Sequence, residues 1–198
     1  YNSYLQEKHG CRVSKLTLDA GFTCPNRDGT KGKGGCTFCD PTGSSSRAQE
    51  RQDSITDQLL KNIPKMQKRY QAKKFIAYFQ SYTNTYDTVP RLKALYDEAL
   101  AAHPDIIGLA ISTRPDCVDE EKIALISSYQ APGRDVSIEF GMQTIHNRTL
   151  QALNRCETHQ DFLNALALAK KYRLQHCIHV ILGLPGESIA DQIATANE

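Results

Sequence analysis

The sequence predicts an α/β protein in which a parallel sheet is covered by helices. Three features carry this. Five short runs are rich in β-branched and aromatic residues, segments of helical period separate them, and most of the runs are too apolar to leave one face in water. The runs are RVSKLTLD (12–19), FIAYFQ (75–80), IIGLAIST (106–113), DVSIEF (135–140) and CIHVIL (177–182). Five strand-then-helix units with right-handed crossovers make either a doubly wound sheet or a barrel. The rhythm fits both, and in both, ligands gather at the carboxyl ends of the strands.

The helices follow in order. SITDQLLKNIPKMQKRY places Ile55, Leu59, Ile63, Met66 and Tyr70 on one face, with Pro64 expected to kink or break it. Pro90 opens the second helix, where its missing donor costs nothing, and Leu92, Leu95 and Ala99 face inward. Asp119 caps the third, Thr158 with Asp161 the fourth, and Ser188 with Asp191 the fifth. GSSSR (43–47) is the nearest thing to a flexible linker. The fifth unit runs off the chain at ATANE, and a five-stranded curved sheet leaves an edge to be covered. The expectation is one domain over residues 1–198, truncated at its C-terminus.

A chain of 198 residues with 40% apolar composition can bury a core, and a net charge of +2 does not by itself imply a polyanion partner. No apolar run approaches the roughly 18 residues of a membrane span, and YNSYLQEKHG lacks the regions of a signal peptide, so a cytosolic location is expected. The first residue is Tyr1 rather than Met, which suggests a trimmed N-terminus. In a reducing compartment the seven cysteines point to metal ligation or burial before bridges.

Three of them, Cys24, Cys36 and Cys39, lie in CPNRDGTKGKGGCTFCD directly after the first strand, at spacing C-x11-C-x2-C. Glycines make this loop pliable enough to bring three thiols onto one centre, and Arg27, Lys31 and Lys33 add positive charge near it. A structural zinc site needs a fourth protein ligand. Cys11 precedes a strand of about eight residues and therefore sits about 26 Å away at the opposite end. Cys177 begins the fifth strand, and Cys156 lies in or before the fourth helix. Only Cys117, just beyond the third strand, can approach. Three ligands without a good fourth suit a 4Fe-4S cluster with one open iron; a zinc knuckle is the alternative.

With Phe38 immediately before the last cysteine, the loop resembles an expanded form of the cluster loop of radical S-adenosylmethionine (SAM) enzymes. LDAGFTCPNRDGT, FQSYTNT, STRPD, EFGMQT and HVILGLPGE resemble the YhcC-like family, related to the Elongator catalytic subunit. The resemblance covers nearly the whole chain. It implies a partial (βα)6 TIM-like barrel, with the sixth unit missing here, and a 4Fe-4S cluster on Cys24, Cys36 and Cys39. It also implies reductive cleavage of SAM to a 5'-deoxyadenosyl radical, fed by a reductant such as flavodoxin or ferredoxin. Phe38 then packs beside adenine or plugs the barrel mouth, and Cys117 is a hydrogen-atom donor or second-stage residue near the substrate, or only a small buried thiol. Gln80, Ser81 and Tyr82 stand where many relatives carry a GGE-like segment, and their backbone carbonyls can accept the SAM ammonium protons. Arg114 can pair with the SAM carboxylate or an anionic substrate, or only with Asp116 or Glu139. Glu139 and Gln143 suit ribose hydroxyls, while Ile181 or Leu182 can touch adenine where Gly183 and Gly186 let the backbone approach. His146, His176 and His179 have no metal-like i,i+4 spacing and read as packing or hydrogen-bonding residues.

Residues 61–74 carry six basic residues and no acidic one, either a solvated helix face or a backbone-positioning patch for RNA. Elongator-type enzymes act on tRNA, which makes tRNA the expected substrate. A small molecule or protein substrate, or a zinc-stabilised RNA-binding module without chemistry, are the alternatives.

Overall fold

The computed structural model of the chain describes residues 1–43 and 53–198; the SSSR part of the expected linker falls outside them. Its elements run α1 (Asn2–His9), β1 (Val13–Leu18), α2 (Ile55–Tyr70), β2 (Lys74–Phe79), α3 (Val89–Ala101) and β3 (Ile106–Thr113). A 3-10 turn (Pro115–Cys117), α4 (Glu120–Ser128), β4 (Asp135–Gln143), α5 (Asn147–Ala152), α6 (His159–Lys171), β5 (Gln175–Val180) and α7 (Ile189–Asn197) complete the chain. The five strands are all parallel and lie in sequence order. A doubly wound sheet must reverse its strand order somewhere. This one never does, so its right-handed crossovers cover one face and leave the other as the concave wall of a partial barrel.

The period of two along each strand separates the faces. Leu16, Leu18, Phe75, Phe79, Leu109, Ile111, Ile138 and Phe140 point outward into one continuous core with Leu59, Leu92, Tyr96, Ile126 and Phe162 of the helices. On the inner face Val13, Ile76 and Ala110 form only a small apolar cluster, closed by Leu5 of α1. Lys8 and His9 of α1 both engage Asp135 at the start of β4, so this helix closes the amino end of the barrel. Gly10, in the left-handed conformation, ends it.

The caps fall as the sequence indicates: Asp119 accepts from Lys122 N, and Thr158–Asp161 and Ser188–Asp191 form reciprocal capping boxes. Three expectations need correction. α2 continues through Pro64, which sits on the solvent face where water can take the carbonyl its ring leaves unpaired. Tyr70, in the last turn of α2, is 43% exposed rather than inward. β4 runs on to Gln143, and β5 begins and ends two residues early, because the register shifts between Gly141 and Gln143 and Gln143 pairs with Val180. Ile181 and Leu182 therefore lie past the strand.

Candidate active site

The three-cysteine loop turns back on itself by local backbone bonds. Cys24 O accepts from Arg27 N at 2.8 Å and Asp28 N at 3.1 Å, Gly35 N donates to Asn26 O at 2.9 Å, and Cys39 N donates to Cys36 O at 3.0 Å. Gly35 has φ 81°, and a Cβ there would come within 2.8 Å of Arg27 Nε. The packing of the loop thus requires glycine at that position.

The connection between α5 and α6 holds the loop from the other side. Thr37 N donates to Leu153 O at 3.1 Å, and the Asn154 amide donates to Lys33 O at 3.1 Å and Gly35 O at 2.9 Å. Buried Asn26 donates back to Asn154 O. Nothing in the local sequence announces these contacts, since they join residues about 120 positions apart.

A cleft of about 290 Å³ opens at the carboxyl ends of the strands, with Cys24, Cys36 and Cys39 in its wall. Phe38, Gln80, Tyr82, Arg114 and Gln143 line it as well. Ser81 is buried and outside the lining, and Glu139 lies deeper, beneath Tyr78 and His179, which do line the cleft. Ile181, Leu182 and Gly183 are not in the lining; Leu182 is 60% exposed and Gly183 N donates to Gln192 Oε1 at 3.2 Å. Cys117 is buried and off the cleft, its thiol pushed up to about 12 by burial and by Asp116. Cys156 is exposed but packs on the outside of the loop, where a Cβ on Gly32 would reach its Sγ at 2.9 Å. It too is outside the cleft lining.

Three N–H groups converge on Cys36 Sγ: Asn26 Nδ2 at 3.4 Å, Arg155 Nη1 at 3.7 Å and Arg114 Nη1 at 4.0 Å. Arg155, which the sequence did not single out, also lies over the Phe38 ring at 5.9 Å and donates to Gly141 O at 2.7 Å. Both guanidiniums are buried, so they need counter-charges. Asp116 takes Arg114 Nε and Nη2, each at 2.9 Å, and Glu157 takes Arg155 Nε at 2.7 Å and Arg114 Nη2 at 3.1 Å. The Arg114 partner is thus Asp116, not Glu139. Burial opposes the charge on Asp116, yet hydrogen bonds from Arg114 and Lys31 hold its carboxyl well below the usual range. Burial pushes Glu157 up, and the nearby charge of Asp116 adds to that.

Glu139 instead meets Lys15, Tyr78 and His179. Although burial works against its charge, these partners hold the carboxyl down at about 2. His146 and His176 hydrogen-bond to the carbonyls of Asp191 and Leu174, each at 3.1 Å, as hydrogen-bonding residues should. His179 meets the expectation too, through Glu139 Oε2 at 2.8 Å. With Glu139 and Cys177 it forms the one group of three His, Cys, Asp or Glu ligand atoms, among the described residues, lying within 4.8 Å of one another.

Cys24, Cys36 and Cys39 instead share the wall of the cleft. A structural zinc site needs a fourth protein ligand, and neither Cys117 nor Cys156 lines the cleft beside the trio. A 4Fe-4S cluster takes three cysteines with one iron left open, and the N–H groups around Cys36 suit a sulfur bound to such a centre. The three cysteines fit the cluster.

Residues 24–198 match the family model of the radical SAM superfamily, and the chain belongs to that superfamily. Its members are enzymes that use a 4Fe-4S cluster and SAM. The chain is 40% identical over 191 residues to Protein YhcC of Escherichia coli K12, covering 96% of this chain and 60% of that protein. Over 83 residues it is 32% identical to a tRNA uridine(34) acetyltransferase of Methanocaldococcus infernus, 42% of this chain and 15% of that protein. Among solved structures, Methanocaldococcus infernus Elp3 superposes with a TM-score of 0.63 at 20% identity, covering 94% of this chain and 42% of the other. The chain spans about 60% of the length of YhcC. No helix among the described residues is long and apolar enough to cross a membrane.

Proposed function

We propose that this chain is the core of an enzyme that holds a 4Fe-4S cluster on Cys24, Cys36 and Cys39, binds SAM in the adjoining cleft and modifies tRNA. The observation that carries the reading is a cleft joining three cysteines to two buried guanidiniums at the carboxyl ends of the strands. When bound, the cluster supplies the electron that cleaves the SAM sulfonium and releases a 5'-deoxyadenosyl radical.

The chain's own residues orient and shield. Arg114 and Arg155 offer N–H groups to a carboxylate, and their buried partners Asp116 and Glu157 fix the planes of both guanidiniums. Phe38 offers a ring face at the mouth. The carbonyls of Gln80 and Tyr82 are acceptors for an ammonium, and Gln143 is both donor and acceptor for a ribose. Lys31, bound to Asp116 at 2.6 Å, ties the cysteine loop to the end of β3 and helps exclude water.

Two features favour tRNA. One is the similarity to the tRNA uridine(34) acetyltransferase, and the other is the exposed basic face of α2, where Lys65, Lys68 and Arg69 stand in solvent. The acetyltransferase reaction itself is not carried over, because the match spans only 15% of that protein. The electron donor is a low-potential protein of the flavodoxin or ferredoxin kind.

Anaerobic reconstitution tests the reading. The expected product is a brown protein with about four irons per chain that releases 5'-deoxyadenosine from SAM on reduction and binds tRNA with steep salt dependence. A colourless protein carrying one zinc on the same three cysteines would overturn it.

A further inference from the structure

The inner face of β4 and β5 carries a second constellation that the cluster reading does not use. Glu139 and Cys177 are direct register partners on adjacent strands, and His179 lies two residues beyond Cys177 on the same face. The small residues Gly108, Ala110 and Ser112 of β3 share this face, and across them Lys15 of β1 and Tyr78 of β2 reach Glu139.

The partners divide the carboxylate. Lys15 takes Oε1 and is itself held over the rings of Tyr78 at 4.7 Å and Tyr1 at 5.0 Å. Tyr78 and His179 converge on Oε2, each at 2.8 Å. Lys15 and Tyr78 thus fix the orientation of Glu139, while one of its oxygens, an imidazole nitrogen of His179 and the Cys177 Sγ all lie within 4.8 Å of one another.

We propose that Glu139, Cys177 and His179 form a binding site for a divalent cation of the zinc type, separate from the three-cysteine loop. One oxygen, one nitrogen and one sulfur donor make a mixed set that suits a metal of borderline softness better than calcium or magnesium, which take oxygen alone. Lys15 and Tyr78 are its orienting partners, in the way that hydrogen bonds to a ligating carboxylate usually are. Three protein ligands leave a fourth position open, as in catalytic rather than structural zinc sites. His179 and Tyr78 line the main cleft, so that position is available to a donor atom of whatever enters it.

The test measures zinc directly. Protein carrying its iron-sulfur centre, and a Cys24→Ala/Cys36→Ala/Cys39→Ala variant, are each equilibrated with zinc and dialysed against zinc-free buffer. Metal content is then measured by mass spectrometry and the zinc environment by X-ray absorption. The expected result is one zinc per chain in both, with one sulfur in its first shell. Cys177→Ser should remove that sulfur. His179→Ala should weaken retention at least tenfold against a competing chelator. Both residues stand exposed on β5, and far-UV circular dichroism of each variant reports whether it is folded. Absence of zinc overturns the proposal, as does zinc retained with an unchanged sulfur shell in Cys177→Ser and unchanged affinity in His179→Ala. If the triple variant does not fold, the cluster-loaded protein decides alone. Iron content reports on the three-cysteine reading and zinc content on this one, so the two can fail independently.

Discussion

The two faces of the sheet solve opposite problems. Toward the helices nearly every strand side chain is apolar, and Phe75, Phe79, Leu109, Ile111, Ile138 and Phe140 are fully buried with no polar atoms to satisfy. Toward the barrel axis the same strands carry Lys15, Tyr78, Asp135 and Glu139, charged or polar groups that must each find a partner. Burying hydrocarbon drives folding without direction, whereas a buried ion is tolerated only when its neighbours are placed for it. The outer face can thus be repacked by volume, while the inner face works as a set.

The most damaging single change falls on the outer face. Phe140→Ala removes a fully buried ring and is expected to cost about 3–5 kcal/mol, read as a lower urea midpoint with little change in slope. A loss under about 1 kcal/mol would mean that this face is not the principal core, and the contrast between the faces would fail.

Next comes the inner face. Glu139→Gln leaves Lys15 without its counter-ion, and because Lys15 is 25% exposed the expected loss at neutral pH is about 1–3 kcal/mol. Its pH dependence separates it from a packing defect. The folded carboxyl lies near 2, below its ordinary 4.5. The stabilisation is thus present above about 4.5 and is lost as pH falls toward 2. The wild type and Glu139→Gln should therefore converge in stability below that window; parallel curves would show that charge is not what matters there.

How much of this was legible follows the same division. The outer face announces itself through apolar runs and helical stripes, so the strands, the helix caps and the α/β class were readable from Leu92, Ile111 or Asp119. The choice between doubly wound sheet and barrel was not, because it depends on strand order, and order enters the sequence only through a family resemblance. The three cysteines were readable from spacing, since C-x2-C acts locally. Arg155, Asn154 and Asn26 were not, because each acts on groups far away in sequence that only the folded chain brings near. The group Glu139, Cys177 and His179 shows the limit most sharply. An i,i+4 test looks for metal ligands on a helix, whereas here Cys177 lies two residues along the strand from His179 and Glu139 is directly across from Cys177.

A second pH experiment probes the mouth of the barrel, between the two faces. Glu157 is almost fully buried, and its folded carboxyl is raised to about 7 from 4.5. For an acid shifted upward the fold favours the protonated form. That contribution is fully present below about 4.5 and is lost as pH rises through about 7. Glu157→Gln should flatten the fall of stability across this window, by an amount on the order of 1 kcal/mol. An unchanged slope would mean that Arg114 and Arg155 compensate the charge completely.

The smallest effect on folding belongs to the outside of the helical layer, which neither face of the sheet touches. Lys65, Lys68 and Arg69 project from α2 into solvent, and replacing all three by glutamine should change stability by no more than about 0.5 kcal/mol. If the tRNA reading is right, the same substitutions remove about three phosphate contacts. They should then lower the slope of log affinity against log salt by about two to three, uniformly across tRNA sequences. An unchanged slope would mark α2 as an ordinary solvated surface and move the RNA contact, if there is one, elsewhere. The expected outcome is a variant that folds like the parent, keeps its irons and loses its salt-sensitive grip on tRNA, because on this surface charge serves encounter rather than architecture.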